Sequence, residues 1–99
     1  MSYVTTQPES LAEAADSLAG IGAGVKAENA AAAAPTIGVQ APAADQVSIL
    51  TAAQFVVHAN LYQSVSAQAA AVHELLVNTL QASSGSYAAT EAANAAAAR

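Results

Sequence analysis

The chain has 99 residues, of which 30 are alanine and only 24 are apolar residues larger than alanine. Seven acids against Lys26 and Arg99 leave a net charge of -5 and a charged fraction of 9 %, where an ordinary soluble domain carries about 25 %. One domain is the ceiling at this length; two cations supply neither the phosphate footprint of a nucleic-acid binder nor attraction to an anionic membrane; and without cysteine there is no disulfide or thiolate zinc site.

The opening Met1-Ser2-Tyr3-Val4-Thr5-Thr6 has no basic n-region and no apolar h-region, so no conventional secretory signal is expected. No run of apolar residues reaches the length of about 18 that a spanning helix needs. Alanine favours helix because it loses no side-chain entropy there. Thr6-Gln7-Pro8-Glu9 fits a capping box, with Thr6 as N-cap and Glu9 at the third position, and Pro8 is tolerated in the first turn. A first helix is predicted over about residues 7–34. Leu11, Leu18 and Val25 recur every seven residues, with Ala14, Ala15 and Ile21 in the intervening turns, which makes a narrow heptad-like stripe. Gly20 and Gly24 share one helix face and predict a notch for close helix approach. Gly22-Ala23-Gly24-Val25-Lys26-Ala27 matches a dinucleotide fingerprint formally, but that site needs a preceding strand, and none is indicated.

Residues 35–44, with Pro35, Gly38 and Pro42, read as the connection. Asp45 is the expected N-cap of a second helix over about 45–82, some 55 Å at about 1.5 Å per residue. One stripe alternates spacings of three and four: Val47, Leu50, Gln54, Val57, Leu61, Val65, Gln68, Val72, Leu75 and Thr79. A second set (Ile49, Phe55, Val56, Tyr62, Leu76, Leu80) is offset from it. Ser83-Ser84-Gly85-Ser86 reads as a helix-ending turn, which closes a hairpin domain over residues 1–86 and leaves 87–99 as an alanine-rich tail. The expected fold is all-α: an antiparallel two-helix hairpin. Such a hairpin cannot bury both apolar sets of its second helix, so a partner with a complementary apolar face is predicted.

Catalytic chemistry is not indicated. His58 and His73 lie about 22 Å apart along a helix and cannot share a metal ion. Glu74 creates no HExxH spacing, and the serine cluster does not fit G-x-S-x-G. No cofactor, metal or small-molecule substrate is expected, and an enzyme is the least favoured class.

The residues do resemble a family. Val4-Thr5-Thr6-Gln7-Pro8-Glu9, Pro42-Ala43-Ala44-Asp45 with Val47-Ser48, Leu50-Thr51-Ala52-Ala53-Gln54-Phe55, Val77-Asn78-Thr79-Leu80 and Ser84-Gly85-Ser86-Tyr87-Ala88-Ala89-Thr90-Glu91 stand in the order found in the PE family of mycobacterial proteins, named for the Pro-Glu pair that is here Pro8-Glu9. The resemblance implies a heterodimer with a PPE protein, in which the hairpin completes an elongated four-helix bundle. The interface would draw on Leu11, Leu18, Ile21, Val25, Val47, Leu50, Val57, Leu61, Val65, Val72 and Leu75. It also implies export by type VII secretion machinery to the cell surface or medium, without a cleaved classical signal. The family's export signal, Tyr followed by three residues and an acid, corresponds to Tyr87 and Glu91. Helix capping alone accounts for Pro8 and Glu9, so these are expected to be structural.

Two other readings stand beside this one. A self-associating helical protein like the WXG100 secretion substrates would have similar length, but the chain has no tryptophan. A role at the envelope or host interface, as part of a small-solute channel or an immune-facing surface protein, is permitted by the resemblance and indicated by no particular residue.

Overall fold

The computed structural model describes residues 4–99; Met1, Ser2 and Tyr3, the start of the stretch read as lacking a secretory signal, lie outside the described residues. The protein is all-helical, with helix α1 at Pro8–Ile37 and helix α2 at Gln46–Ala97, and no strand occurs among the described residues.

Helix α1 starts one residue later than a Thr6 cap would give. Pro8 is its first residue, where a missing N–H costs nothing, and Gln7 is the cap: its carbonyl accepts from the Ser10 and Leu11 amides at 3.1 and 3.4 Å, and its side chain accepts from the Ser10 hydroxyl. The capping box is thereby corrected. Thr6 points its hydroxyl elsewhere, and Glu9 is exposed in the first turn, where its charge suits the helix dipole. At the other end, α1 runs through Pro35 to Ile37 rather than stopping near residue 34. The Thr36 hydroxyl donates to the Ala32 carbonyl at 2.6 Å, and the Gly38 amide donates to the Ala34 carbonyl at 2.9 Å, which satisfies one of the last carbonyls of α1.

Asp45 caps α2. Its carboxylate accepts from the Ser48 hydroxyl at 2.7 Å and the Ser48 amide at 3.0 Å. These two bonds, the hydroxyl's foremost, hold the Asp45 carboxyl below its ordinary value of 3.8. A lowered folded-state pKa stabilises above the ordinary carboxylate range and loses that contribution as pH falls through the depressed value. Asp45→Ala is therefore expected to speed amide exchange in the first turn of α2 at neutral pH and to have no such effect once the medium is acid enough to protonate Asp45. Equal exchange in both proteins at neutral pH would remove the cap from this account.

Helix α2 does not end at Ser83-Ser84-Gly85-Ser86; it continues to Ala97. A glycine stop works through a left-handed residue, and no glycine here adopts a positive φ. One glycine in a helix costs about 1 kcal/mol, and the surrounding alanines with two anchors described below outweigh it. Residues 87–99 are thus helix almost throughout rather than a separate tail.

The chain divides into two compact units. In Ala23–Val72, the end of α1 and the start of α2 flank the connection at residues 38–45, and Asn29 holds them together. Tyr62 Oη donates to Asn29 Oδ1 at 2.7 Å, and Gln63 Nε2 donates to the Asn29 carbonyl at 2.9 Å. In the other unit, residues up to Gly22 run antiparallel to His73–Arg99. The Leu18 carbonyl meets His73 Nε2 at 2.5 Å, the Pro8 carbonyl accepts from the buried Ser84 hydroxyl at 2.6 Å, and Thr6 meets Glu91. His73 Nε2 must carry a proton in that bond, because a carbonyl only accepts.

The core side of α2 is made mostly of small and polar side chains. Ala52, Val56, Ala59, Gln63, Ser66, Ala70, His73, Val77, Leu80 and Ser84 are buried or half-buried at alternating spacings of four and three, and Ser48, Ser83 and Glu91 are half-buried as well. On α1 the counterparts are Pro8, Leu11, Ala15, Leu18, Gly22, Asn29 and Ala32, with Ala15 fully buried. This is a coiled-coil spacing filled mostly by residues that admit a close neighbour. The close approach falls at Gly22 rather than at Gly20 and Gly24. A Cβ at Gly22 would stand 2.7 Å from the His73 ring, whereas Cβ atoms at the other two would meet nothing within 4 Å.

Candidate functional site

Two residues along a helix turn the side chain through about 200°. The apolar stripe of α2 sits two residues from the seam positions, Leu61 against Ala59 and Leu75 against His73, so it occupies the opposite face of the helix from the intrachain contact. Leu61 is 60 % exposed, Leu75 66 % and Val72 67 %, and Val47, Leu50, Val57 and Val65 are exposed as well. Gln54, Gln68 and Thr79 on the same stripe are also exposed. The second set divides. Phe55, Tyr62, Leu76 and Ile49 are exposed, while Val56 and Leu80 belong to the seam. On α1, Ile21 and Val25 are exposed, whereas Leu11 and Leu18 are half-buried toward α2. Exposed large apolar side chains in this number mark an interaction surface. With no large side chain fully buried among the described residues, most of the apolar bulk of the chain faces outward.

Tyr87 and Glu91 lie four residues apart on α2 and so share a face. Tyr87 is 46 % exposed and lines an open hollow with Asn78, Thr79, Ala82, Ser83 and Ser86. Glu91 is half-buried: its Oε1 accepts from the Thr6 hydroxyl at 2.9 Å and from the Thr6 amide at 3.3 Å. Sequence reasoning paired Tyr87 with Glu91 and missed Thr6, which lies 85 residues away in the chain. His58 is exposed and lines a second hollow with Phe55 and Leu61; His73 belongs to the seam. Among the described residues no group of three His, Asp or Glu side chains is placed to hold a metal, and no helix is long and apolar enough to cross a membrane.

The model of the PE family matches residues 4–94. The chain belongs to the PE family. It is 65 % identical over 98 residues to PE family protein PE13 of Mycobacterium tuberculosis, covering 99 % of both chains. It is 57 % identical over 96 residues to PE-PGRS family protein PE_PGRS33 of the same species, where it spans 97 % of this chain and only 19 % of that protein. PE family protein PE8 matches at 50 % over 98 residues, or 36 % of its length. The match covers both the exposed stripe and the Tyr87–Glu91 pair.

Proposed function

We propose that the chain is a non-enzymatic interaction module. It pairs with a PPE protein to complete a four-helix bundle, and it is exported to the cell surface or medium by a type VII secretion system that reads Tyr87 and Glu91. The observation that supports this reading is the division of labour on α2: mostly small or polar side chains toward α1, most of the large apolar ones away from it. Exposed apolar area contributes roughly 25 cal/mol per Å² once removed from water, so a partner surface laid along the stripe is strongly favoured. Leu11 and Leu18, half-buried at the seam, reach such a partner only by their outer edges, whereas Ile21, Val25 and the α2 stripe offer it their full side chains. Pro8 and Glu9 keep a structural role at the start of α1.

The test is the mass of the particle formed. Expressed alone, the chain is expected to be poorly soluble or self-associated; co-expressed with a PPE partner, it should sediment as a one-to-one heterodimer. A stable, helical, dilute monomer in the absence of any partner would overturn the reading. A discrete homodimer that ignores PPE proteins would replace it with self-association of the WXG100 type.

A further inference from the structure

We infer that Glu91 acts as a positioning residue. Held by Thr6, its carboxylate clasps the segment before α1 onto the end of α2 and so fixes Tyr87 on a rigid helical face. The inference rests on the reading of Tyr87 and Glu91 as an export signal and gives the acid an intrachain task within it.

Beyond Ser84, every residue of α2 is exposed except Glu91. Among the described residues, the hydrogen bonds from the thirteen helical residues Gly85–Ala97 to another segment are those of Glu91 with Thr6. An isolated helix of that length is marginal in water, and Gly85, Ser86 and Thr90 weaken it further. Ser84, Tyr87 and Glu91 continue the alternating spacing of the seam, so all three share one face. Ser84 is tied to the Pro8 carbonyl one turn before Tyr87, and Glu91 is tied to Thr6 one turn after it. Tyr87 stands between the two ties and is nevertheless half exposed. Both Thr6 donors converge on one oxygen, Oε1. A hydrogen bond to a charged acceptor is roughly twice as strong as a neutral one. A glutamine at 91 retains an acceptor oxygen of the same reach and loses the charge. A valine at 6 retains the amide and the shape and loses the hydroxyl. These two substitutions therefore separate a clasp from a carboxylate read directly by the secretion machinery.

The experiment uses the full chain with its PPE partner in a mycobacterial host, and reads export into the medium together with amide exchange in residues 88–97 of the purified pair. Thr6→Val is expected to speed that exchange about tenfold, the effect of a lost charge-assisted bond, to leave exchange in residues 11–80 unchanged, and to reduce export severalfold. Thr6→Ser should restore both. Glu91→Gln should keep export within about threefold of wild type, and Glu91→Ala should match or exceed the Thr6→Val defect. Tyr87→Ala should lose export with exchange unchanged. Wild-type export from Thr6→Val would overturn the inference, as would Glu91→Gln failing as badly as Glu91→Ala. If those results come with a Tyr87→Ala block, the signal reading survives and only the clasp falls. If Tyr87→Ala is exported normally, the signal reading falls, and the positioning role with it.

Discussion

Replacing Leu61 and Leu75 together by aspartate is expected to abolish pairing with a PPE partner while leaving the helices of the chain itself paired. Both side chains are well over half exposed, and both lie across α2 from the seam, so neither contributes much to intrachain packing. At an interface, each buried leucine contributes about 1.5–3 kcal/mol, and each aspartate would place an unpaired charge against an apolar surface. The combined loss exceeds about 4 kcal/mol, which weakens association by roughly a thousandfold at about 1.4 kcal/mol per factor of ten. Co-purification with the partner checks the first half of the expectation, and far-ultraviolet circular dichroism of the variant checks the second. The variant chain alone should also be more soluble than the wild type, because two charges replace two exposed leucines. Undiminished pairing would move the interface to another face. Collapse of the chain's own helicity would show that the stripe supports α2 from within.

The stripe was legible because its periodicity is carried by large residues, and large residues are what a pattern search registers. The intrachain seam was not, because its repeat is written in Ala52, Ala59, Ser66, Ala70 and Ser84, which look like filler in a chain with 30 alanines. Its clue was positional: a run of small residues at spacings of four and three, offset by two from the leucines. The two helices, the cap at Asp45 and the antiparallel order of the contacts within each unit followed from local rules. The ends of the helices did not. Pro35 and the Ser83–Ser86 cluster are breakers by propensity, and propensity yields where the Gly38 amide satisfies the Ala34 carbonyl at the end of α1 or where Ser84 and Glu91 tie α2 down. Thr6 was misassigned for a related reason. A threonine three residues before a glutamate satisfies the capping-box pattern, but that box needs Glu9 to accept the Thr6 amide, and Glu91 accepts it together with the Thr6 hydroxyl. No sequence window spans residues 6 and 91, so that competitor was invisible from the chain.

Gly22→Ala is expected to destabilise the protein by about 1–2 kcal/mol, although alanine is the better helix former by about 1 kcal/mol. The added Cβ would lie 2.7 Å from His73 Cδ2 and 2.8 Å from Nε2, far inside ordinary contact. The ring must swing away and give up its bond to the Leu18 carbonyl. Displacing a packed side chain costs about 1–3 kcal/mol, and a half-buried imidazole left without its partner adds to that. The sum outweighs the gain in propensity, and the melting temperature should fall by roughly 4–8 °C per kcal/mol at this size. His73→Ala by itself should also destabilise, because it removes the same bond. Combined with Gly22→Ala, it removes the ring that the new methyl would strike, so the double variant should be more stable than the sum of the single effects predicts, with a coupling of about 1–2 kcal/mol. Gly20→Ala supplies the contrast. Its Cβ would enter open space, so only the backbone effect remains, and the variant should gain about 0.4–1 kcal/mol. Thermal unfolding followed by circular dichroism ranks the four proteins. If Gly22→Ala stabilises the chain as Gly20→Ala does, His73 is not seated on Gly22, and the close approach at the seam lies elsewhere.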